Sequence, residues 1–144
     1  MTILRTIDPT IAVAPQIEPD AIAELKAAGF THIVNNRPDG EDFGQPDGDA
    51  IAAAAAAAGM QYSAIPVTHA GFSHPQIDAM AAILAEADGA VLAYCRSGTR
   101  SCNLWALAAV KAGGHPDTVM AKAAAAGYDL IGLRPLLDAL STPQ

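Results

Sequence analysis

Residues 94–102 read YCRSGTRSC and bring a cysteine, two arginines and a glycine together within nine positions. An apolar run, AVLA, precedes them and a helix-like run, NLWALAAV, follows them, so the pattern predicts a strand, a short loop and a helix in that order. The inward-pointing N–H groups of such a loop and the positive end of the helix dipole attract anions. The sequence therefore predicts an anion-binding loop.

The chemistry expected of this loop is that of an activated thiol. A cysteine at a helix N-terminus beside arginine has a lowered pKa, so Cys95 is expected to be a nucleophile. The planar guanidinium of Arg100 can hold two oxygens of a tetrahedral anion, and Ser101 can hydrogen-bond the sulfur. The other loop residues are expected to contribute to anion binding: Arg96, Ser97, Gly98 and Thr99. The alternative is a buried cysteine at the end of a strand, followed by a polar turn. That alternative leaves the two arginines without a role.

Short runs rich in Ile, Val or Tyr alternate with longer helical runs along the chain. The predicted strands are Thr10–Ala14, Thr31–Asn35, Tyr62–Pro66 and Ala90–Tyr94. The predicted helices are Pro19–Ala28, Asp49–Ala58, Pro75–Ala87, Ser101–Ala112, Asp117–Ala126 and Arg134–Leu140. This alternation predicts an α/β fold with a mostly parallel central sheet flanked by helices.

Two more loops are expected on the same rim as Cys95, because ligands of parallel sheets bind beyond the carboxyl ends of the strands. The segment RPDGEDFGQPDG follows one predicted strand and VTHAGFSH follows the next. These loops supply Arg37 and His69 as candidate anion-binding residues. They also supply three candidate proton donors, which are Asp39, Glu41 and His69.

Composition limits the class of protein. The 144 residues fit one domain, 1–144, and 51% of them are apolar. A net charge of −7 disfavours binding to nucleic acid or anionic membranes. Without an 18-residue apolar run or the pattern of a signal peptide, the expected location is the cytoplasm.

The two cysteines, Cys95 and Cys102, are seven positions apart, a spacing that suits neither a zinc site nor a disulfide framework. Reduced thiols are expected, with no metal and no cofactor. Cys102 either packs as a small apolar residue or captures an oxidised Cys95 as a disulfide.

Four motifs in order, GFTHIVNNRPDGE, GQPDG, AIPVTHAG and LAYCRSGTRS, resemble the phosphatase-like domain of the beta-lactamase hydrolase-like protein family. The resemblance runs from about Thr10 to Val110. It implies a fold similar to that of dual-specificity protein tyrosine phosphatases. It also implies Cys95 as nucleophile, Arg100 as the residue that holds the oxyanion and Ser101 as a helper of the leaving group.

Two features depart from those phosphatases. The loop is C-x4-R, one residue shorter than their C-x5-R and equal in length to the loop of many rhodaneses. The region where they carry an aspartate general acid reads IPVTHAGFSH here and has none. Among the three candidate donors, Asp39 is the first choice because a glycine-bearing loop could close over a bound ester.

Three functions use this loop. The first is hydrolysis of phosphate monoesters, including phosphotyrosine, through a phosphocysteine. The second is rhodanese-like sulfur transfer through a Cys95 persulfide, which needs no general acid. The third is a non-catalytic module that binds anionic or phosphorylated ligands. Each has a small anionic or phosphorylated compound as its partner.

Overall fold

The computed structural model describes residues 4–141, and a five-stranded sheet forms the centre of the fold. The strands are β1 (Arg5–Asp8), β2 (Ile11–Ala14), β3 (Phe30–Asn35), β4 (Gln61–Ala64) and β5 (Ala90–Tyr94). Their order across the sheet is β1-β2-β5-β3-β4. The last four are parallel, and β1 pairs antiparallel with β2. The predicted mostly parallel sheet is confirmed, while β1 was not predicted.

Across residues 4–141, six α-helices and two short 3-10 helices connect and cover the strands. The α-helices are α1 (Ile22–Ala27), α2 (Gly48–Ala57), α3 (His74–Glu86), α4 (Thr99–Lys111), α5 (Pro116–Ala125) and α6 (Arg134–Ser141). The 3-10 segments Pro19–Ala21 and Ile131–Leu133 lead into α1 and α6. All six predicted helices are present. Within the described residues, no helix is long and apolar enough to cross a membrane.

The sheet separates two apolar cores. Helices α3 to α6 pack on one face and α1 and α2 on the other. Strand β5, which delivers Cys95, lies between β2 and β3, and its residues Val91 to Tyr94 are all buried. Burial on both faces explains why its sequence is a continuous apolar run rather than an alternating one.

A capping box at the start of α3 holds the loop that follows β4. The Ser73 hydroxyl accepts from the Gln76 N–H at 3.4 Å, and the Gln76 side-chain oxygen accepts from the Ser73 N–H at 2.8 Å. The Gln76 amide also donates to the carbonyl of Pro66 at 2.8 Å. The cap therefore fixes the beginning of the VTHAG segment as well as the helix.

Thr31 in β3 provides a test of the packing. Its hydroxyl oxygen is buried and has no hydrogen-bond partner among the described residues. A buried hydroxyl without a partner lowers stability, and valine has nearly the same shape without that group. We expect Thr31→Val to raise the free energy of unfolding by about 1 kcal/mol. Urea unfolding of both proteins measures this, and a less stable variant would contradict the interpretation.

Candidate active site

The loop from Cys95 to Arg100 joins the end of β5 to the start of α4. The backbone N–H of Cys95 donates to the carbonyl of Ala14 on β2 at 3.3 Å, which continues the sheet one residue beyond the strand. The Cys95 side chain is buried, and its Sγ accepts from the N–H of Gly98 at 3.1 Å. The sulfur thus lies at the helix N-terminus, as the sequence predicted, where a thiolate is stabilised.

Gly98 allows the loop to turn, and only glycine suits this position. Its φ is +90°, in the left-handed region, and it is the N-cap residue of α4. A Cβ atom at this position would overlap the hydroxyl of Tyr128. That hydroxyl donates to the carbonyl of Ser97 at 3.3 Å. Tyr128 therefore packs over the loop, a contact that no pattern in the sequence indicated.

Arg100 is held by a carboxylate and a carbonyl. Its Nη1 and Nη2 donate to the two oxygens of Glu41 at 2.8 and 2.7 Å, and Nη1 also donates to the carbonyl of Val67 at 2.7 Å. A guanidinium has five N–H groups, so the Nε–H and the second Nη2–H remain. Among the described residues, no oxygen accepts from these two. They form one edge of the guanidinium, the fork that suits two oxygens of a tetrahedral anion.

The pKa of Arg100 is raised, first by its hydrogen bonds to Glu41 and then by the nearby Cys95 sulfur. The sulfur and the guanidinium are therefore close enough to interact. A nucleophile beside a fixed cation is the arrangement required for attack on a phosphorus or sulfur centre that carries negative charge.

Glu41 connects two arginines. Besides Arg100, its Oε1 accepts from the Nε of Arg37 at 3.0 Å. The hydrogen bonds from Arg100, followed by those from Arg37, lower the pKa of Glu41 from 4.5 to about 2. Glu41 is therefore ionised at neutral pH. The expectation that it could donate a proton is wrong, because the same two arginines that position it keep it charged.

Arg37, a predicted anion-binding residue, is buried, and its side chain donates to three neighbouring side chains. Its Nη1 donates to the side-chain oxygen of Gln16 at 3.0 Å, and its other nitrogens bind Glu41 and Asp42. Asp42 also pairs with the Nε of Arg96 at 3.0 Å. The Arg96 side chain is 66% exposed.

The charges around the loop leave an excess of positive charge. Three arginines, Arg37, Arg96 and Arg100, meet two carboxylates, Glu41 and Asp42, among the described residues near the loop. Three positive charges and two negative charges give a local balance of +1 in a chain whose net charge is −7. An ionised Cys95 would bring that local balance to zero.

Asn36 is a buried residue of the site that the sequence analysis missed. Its Oδ1 accepts from the hydroxyl of Ser101 at 2.8 Å, and its Nδ2 donates to the carbonyl of Ile65 at 2.9 Å. The predicted bond from Ser101 to the sulfur is therefore replaced by a bond to Asn36. The polar pair Asn35-Asn36 at the end of an apolar strand was the available signal, since such groups are buried only with partners.

The remaining candidates lie at different places on the rim. Asp39 is exposed, and its Oδ1 accepts from the N–H of Gly48 at 2.8 Å at the start of α2. It lines a pocket of about 320 Å³ with Tyr62 on the outer strand β4. His69 is exposed and lies two residues after Val67, whose carbonyl contacts Arg100. The side chains of Ser97 and Thr99 bind each other at 3.1 Å.

Cys102 packs in the core beneath the loop. Both cysteines are free and buried, as expected for reduced thiols. Burial, followed by the charge of Cys95, raises the pKa of Cys102 to about 12. A thiol that resists ionisation attacks a sulfenic acid poorly, so the structure favours packing over a redox partnership.

Glu41→Gln tests the positioning of Arg100. The amide keeps the shape of the carboxylate but lacks its charge and one of its acceptor oxygens. We therefore expect Arg100 to be misplaced and the kcat/KM of the reaction at Cys95 to fall roughly tenfold. The pKa of the native carboxyl is lowered, so its stabilisation is full above about pH 4.5 and is lost as pH falls towards 2. We expect it to amount to about 1–2 kcal/mol at neutral pH.

Unfolding free energies measured from pH 2 to pH 7 check this, because the difference between the native protein and Glu41→Gln should shrink as the pH falls. Asp42→Asn is the matched control, since Asp42 binds Arg37 and Arg96 but not Arg100. A difference that does not change with pH, or equal activity losses in the two variants, would contradict the assignment.

Comparison with known proteins gives the family. Residues 3–114 match the family described as beta-lactamase hydrolase-like protein, phosphatase-like domain. A beta-lactamase hydrolase-like protein of Xylella fastidiosa (strain Temecula1) is 38% identical over 125 residues, which are 86% of this chain and 29% of the relative. The chain thus spans less than a third of that relative's length.

Two solved structures extend the comparison. A protein of Neisseria meningitidis Z2491 described as a candidate phosphatase has a TM-score of 0.80 and 30% identity, with 94% of this chain and 96% of that chain covered. Tk-PTP has a TM-score of 0.70 with 96% and 95% covered, and its 18% identity supports the fold alone. By its sequence and its fold, the chain belongs to the phosphatase-like domain family of the beta-lactamase hydrolase-like proteins.

Proposed function

We propose that this phosphatase-like domain hydrolyses phosphate monoesters through a covalent phosphocysteine at Cys95. The observation that carries the proposal is the Nε and Nη2 edge of Arg100, which donates to no oxygen of the described residues and interacts with the Cys95 sulfur. That edge can donate hydrogen bonds to two non-bridging oxygens while the sulfur lies behind the phosphorus. The family match and the Neisseria structure support the same class of enzyme.

The reaction has two displacements. The Cys95 thiolate attacks phosphorus, the S–P bond forms, and the ester P–O bond breaks with its electrons moving to the leaving oxygen, which takes a proton. Water then attacks the phosphocysteine, releasing inorganic phosphate and restoring the thiolate. In both steps Arg100 and the loop N–H groups stabilise the charge on the equatorial oxygens.

Ser101 supports this reaction through the loop backbone. Its hydroxyl is bound to Asn36, and both residues are buried. The pair therefore holds the first turn of α4 against the end of β3. We propose that Ser101 acts as a positioning residue and that the loop N–H groups and Arg100 bind the anion.

For the proton donor, the geometry favours His69 over Asp39. The His69 segment passes directly beside Arg100 through Val67, whereas Asp39 is bound to Gly48 and faces the outer strand. A histidine side chain can donate a proton near neutral pH. We propose His69 as the donor to the leaving oxygen.

Sulfur transfer is the second candidate, and one feature favours it. The C-x4-R loop has the length of many rhodanese loops, and a persulfide on Cys95 needs no general acid. Burial raises the pKa of Cys102 to about 12, so this thiol would not act as a resolving thiolate for such a persulfide. Assays with a phosphate ester and with thiosulfate distinguish the two reactions.

Turnover of p-nitrophenyl phosphate, and separately of thiosulfate with cyanide, tests the proposal. We expect the phosphate ester to be hydrolysed and Cys95→Ser to abolish that activity, because serine lacks the thiolate. Arg100→Lys should lose at least tenfold more activity than its matched control Arg96→Lys, because lysine cannot reproduce the fork.

Activity only with thiosulfate would establish the sulfurtransferase instead. Binding of phosphate without either turnover would establish the non-catalytic module. Full activity of Cys95→Ser in the hydrolytic reaction would exclude the covalent mechanism.

A series of aryl phosphates with different leaving-group pKa values tests the donor. Loss of a general acid slows poor leaving groups far more than good ones, by roughly 10²–10⁴-fold at the poor end. We expect this pattern for His69→Asn and a flat loss for Asp39→Asn. The reverse pattern would return the role to Asp39, and a flat profile for both variants would show that neither donates the proton.

A further inference from the structure

The peptide group between Ser97 and Gly98 is held at both of its ends. Its N–H, which belongs to Gly98, donates to the Sγ of Cys95 at 3.1 Å. Its C=O, which belongs to Ser97, accepts from the hydroxyl of Tyr128 at 3.3 Å. In a planar trans peptide the N–H and the C=O point in opposite directions. One rigid group therefore connects the Tyr128 hydroxyl to the Cys95 sulfur.

The backbone of Tyr128 is fixed by the end of helix α5. The Tyr128 N–H donates to the carbonyl of Ala123 at 2.9 Å, and the Gly127 N–H donates to the carbonyl of Ala124 at 3.0 Å. Gly127 has a φ of +99°, in the left-handed region. These two hydrogen bonds around a left-handed glycine form a Schellman motif, a common helix end. The helix, rather than the loop, thus sets where Tyr128 begins.

The ring of Tyr128 is held between strand β1 and the loop. The guanidinium of Arg5 lies 5.8 Å from the centroid of the ring, a distance at which a cation is attracted to an aromatic face. Arg5 also donates from Nη1 to the carbonyl of Ala126 at 3.3 Å, close to the helix end. On the loop side, the hydroxyl lies against Gly98, where a Cβ atom would overlap it. The hydroxyl is therefore kept beside the Ser97–Gly98 peptide.

The Tyr128 hydroxyl is a hydrogen-bond donor at neutral pH. Burial raises its pKa, and the charge of the nearby Cys95 sulfur adds to the rise. Hydrogen bonds in a chain polarise one another, so donation to the Ser97 carbonyl makes the N–H of the same peptide a stronger donor. A stronger N–H stabilises a thiolate more than a thiol, because hydrogen bonds to a charged acceptor are the stronger ones.

We propose that Tyr128 is a positioning residue for the reaction at Cys95. Its hydroxyl orients and polarises the Ser97–Gly98 peptide so that the Gly98 N–H stabilises the thiolate. This role rests on the proposed function only in taking Cys95 as the reacting group. Tyr128 lies beyond residues 3–114, which match the family, so the role is not part of the matched segment.

Other charges act on the same sulfur, and the test must leave them in place. The titratable groups around the sulfur are Arg100 and Cys102 on α4, Tyr128 after α5, and Glu41 and Arg37, which face it through Arg100. Replacing Tyr128 with phenylalanine changes none of the others. Burial raises the pKa of Cys102 to about 12, so a thiolate that forms well below that pH belongs to Cys95.

The ultraviolet absorbance of the thiolate, followed against pH, tests this without a substrate. The absorbance of Cys95→Ser in the same background is subtracted at each pH. Tyr128→Phe keeps the ring and loses the hydroxyl, so the thiolate loses stabilisation and its titration midpoint moves upward. We expect a rise of roughly 0.3–0.5 pH unit, which is about a two- to threefold lower ratio of thiolate to thiol. Tyr128→Ala, which also loses the ring, should raise the midpoint at least as far.

The matched control is Tyr62→Phe, which loses a hydroxyl that accepts from the Nδ2 of Asn35 at 3.0 Å and is bound to no residue of the Cys95 loop. Its midpoint should equal that of the native protein. An unmoved midpoint in Tyr128→Phe, an equal rise in Tyr62→Phe, or the absence of a Cys95 titration would overturn the assignment. Turnover of p-nitrophenyl phosphate is read separately. A raised midpoint in a protein that does not hydrolyse esters would support the role of Tyr128 while refuting the hydrolytic reaction.

Discussion

The contact between Glu41 and Arg100 organises the rest of the site. An arginine at a loop–helix junction can adopt many rotamers, and the Glu41 carboxylate together with the Val67 carbonyl holds Arg100 in one. Glu41 is fixed in turn by Arg37, which is buried and held by Gln16 and Asp42. The order of the sheet makes this possible, because β3, which ends two residues before Arg37, lies beside β5, which ends one residue before Cys95.

Charge explains why so many ion pairs surround one thiol. A lone arginine inside a partly buried loop would be costly, and a lone carboxylate beside the thiolate would repel it. The alternation of Arg37, Glu41 and Arg100 satisfies every charged group and still leaves one edge of Arg100 open. Glu41 therefore supports anion binding by occupying the side of the guanidinium that the anion does not use.

The rim loops are joined by hydrogen bonds that converge on Asn36. Its backbone donates to the carbonyl of Tyr94 and accepts from the N–H of Val67, and its side chain binds Ile65 and Ser101. One amide residue thus connects the strand before the cysteine, the loop after β4 and the first turn of α4. Displacement of any one of these three segments would move Asn36 and disturb its hydrogen bonds to the other two.

The sequence was enough to predict what depends on local pattern. Strand β5, the loop after it and the capping box at Ser73 follow from apolar runs and cap residues that lie close together in the chain. The contacts it missed join distant positions: Glu41 with Arg100 is a separation of 59 residues, and Ser101 with Asn36 is one of 65. Strand β1 was missed because RTID is short and acquires strand character only by pairing with β2.

The position of Tyr128 shows how far along the chain the residues that hold the Cys95 loop extend. The family match stops at residue 114, yet the Tyr128 hydroxyl contacts the carbonyl of Ser97, and Lys122 pairs with Asp8 at the first strand. A fragment cut at the matched boundary would uncover the face of Gly98 and remove that brace from the loop. The folded unit that is needed to hold the Cys95 loop therefore extends beyond the matched segment, to the turn that carries Tyr128.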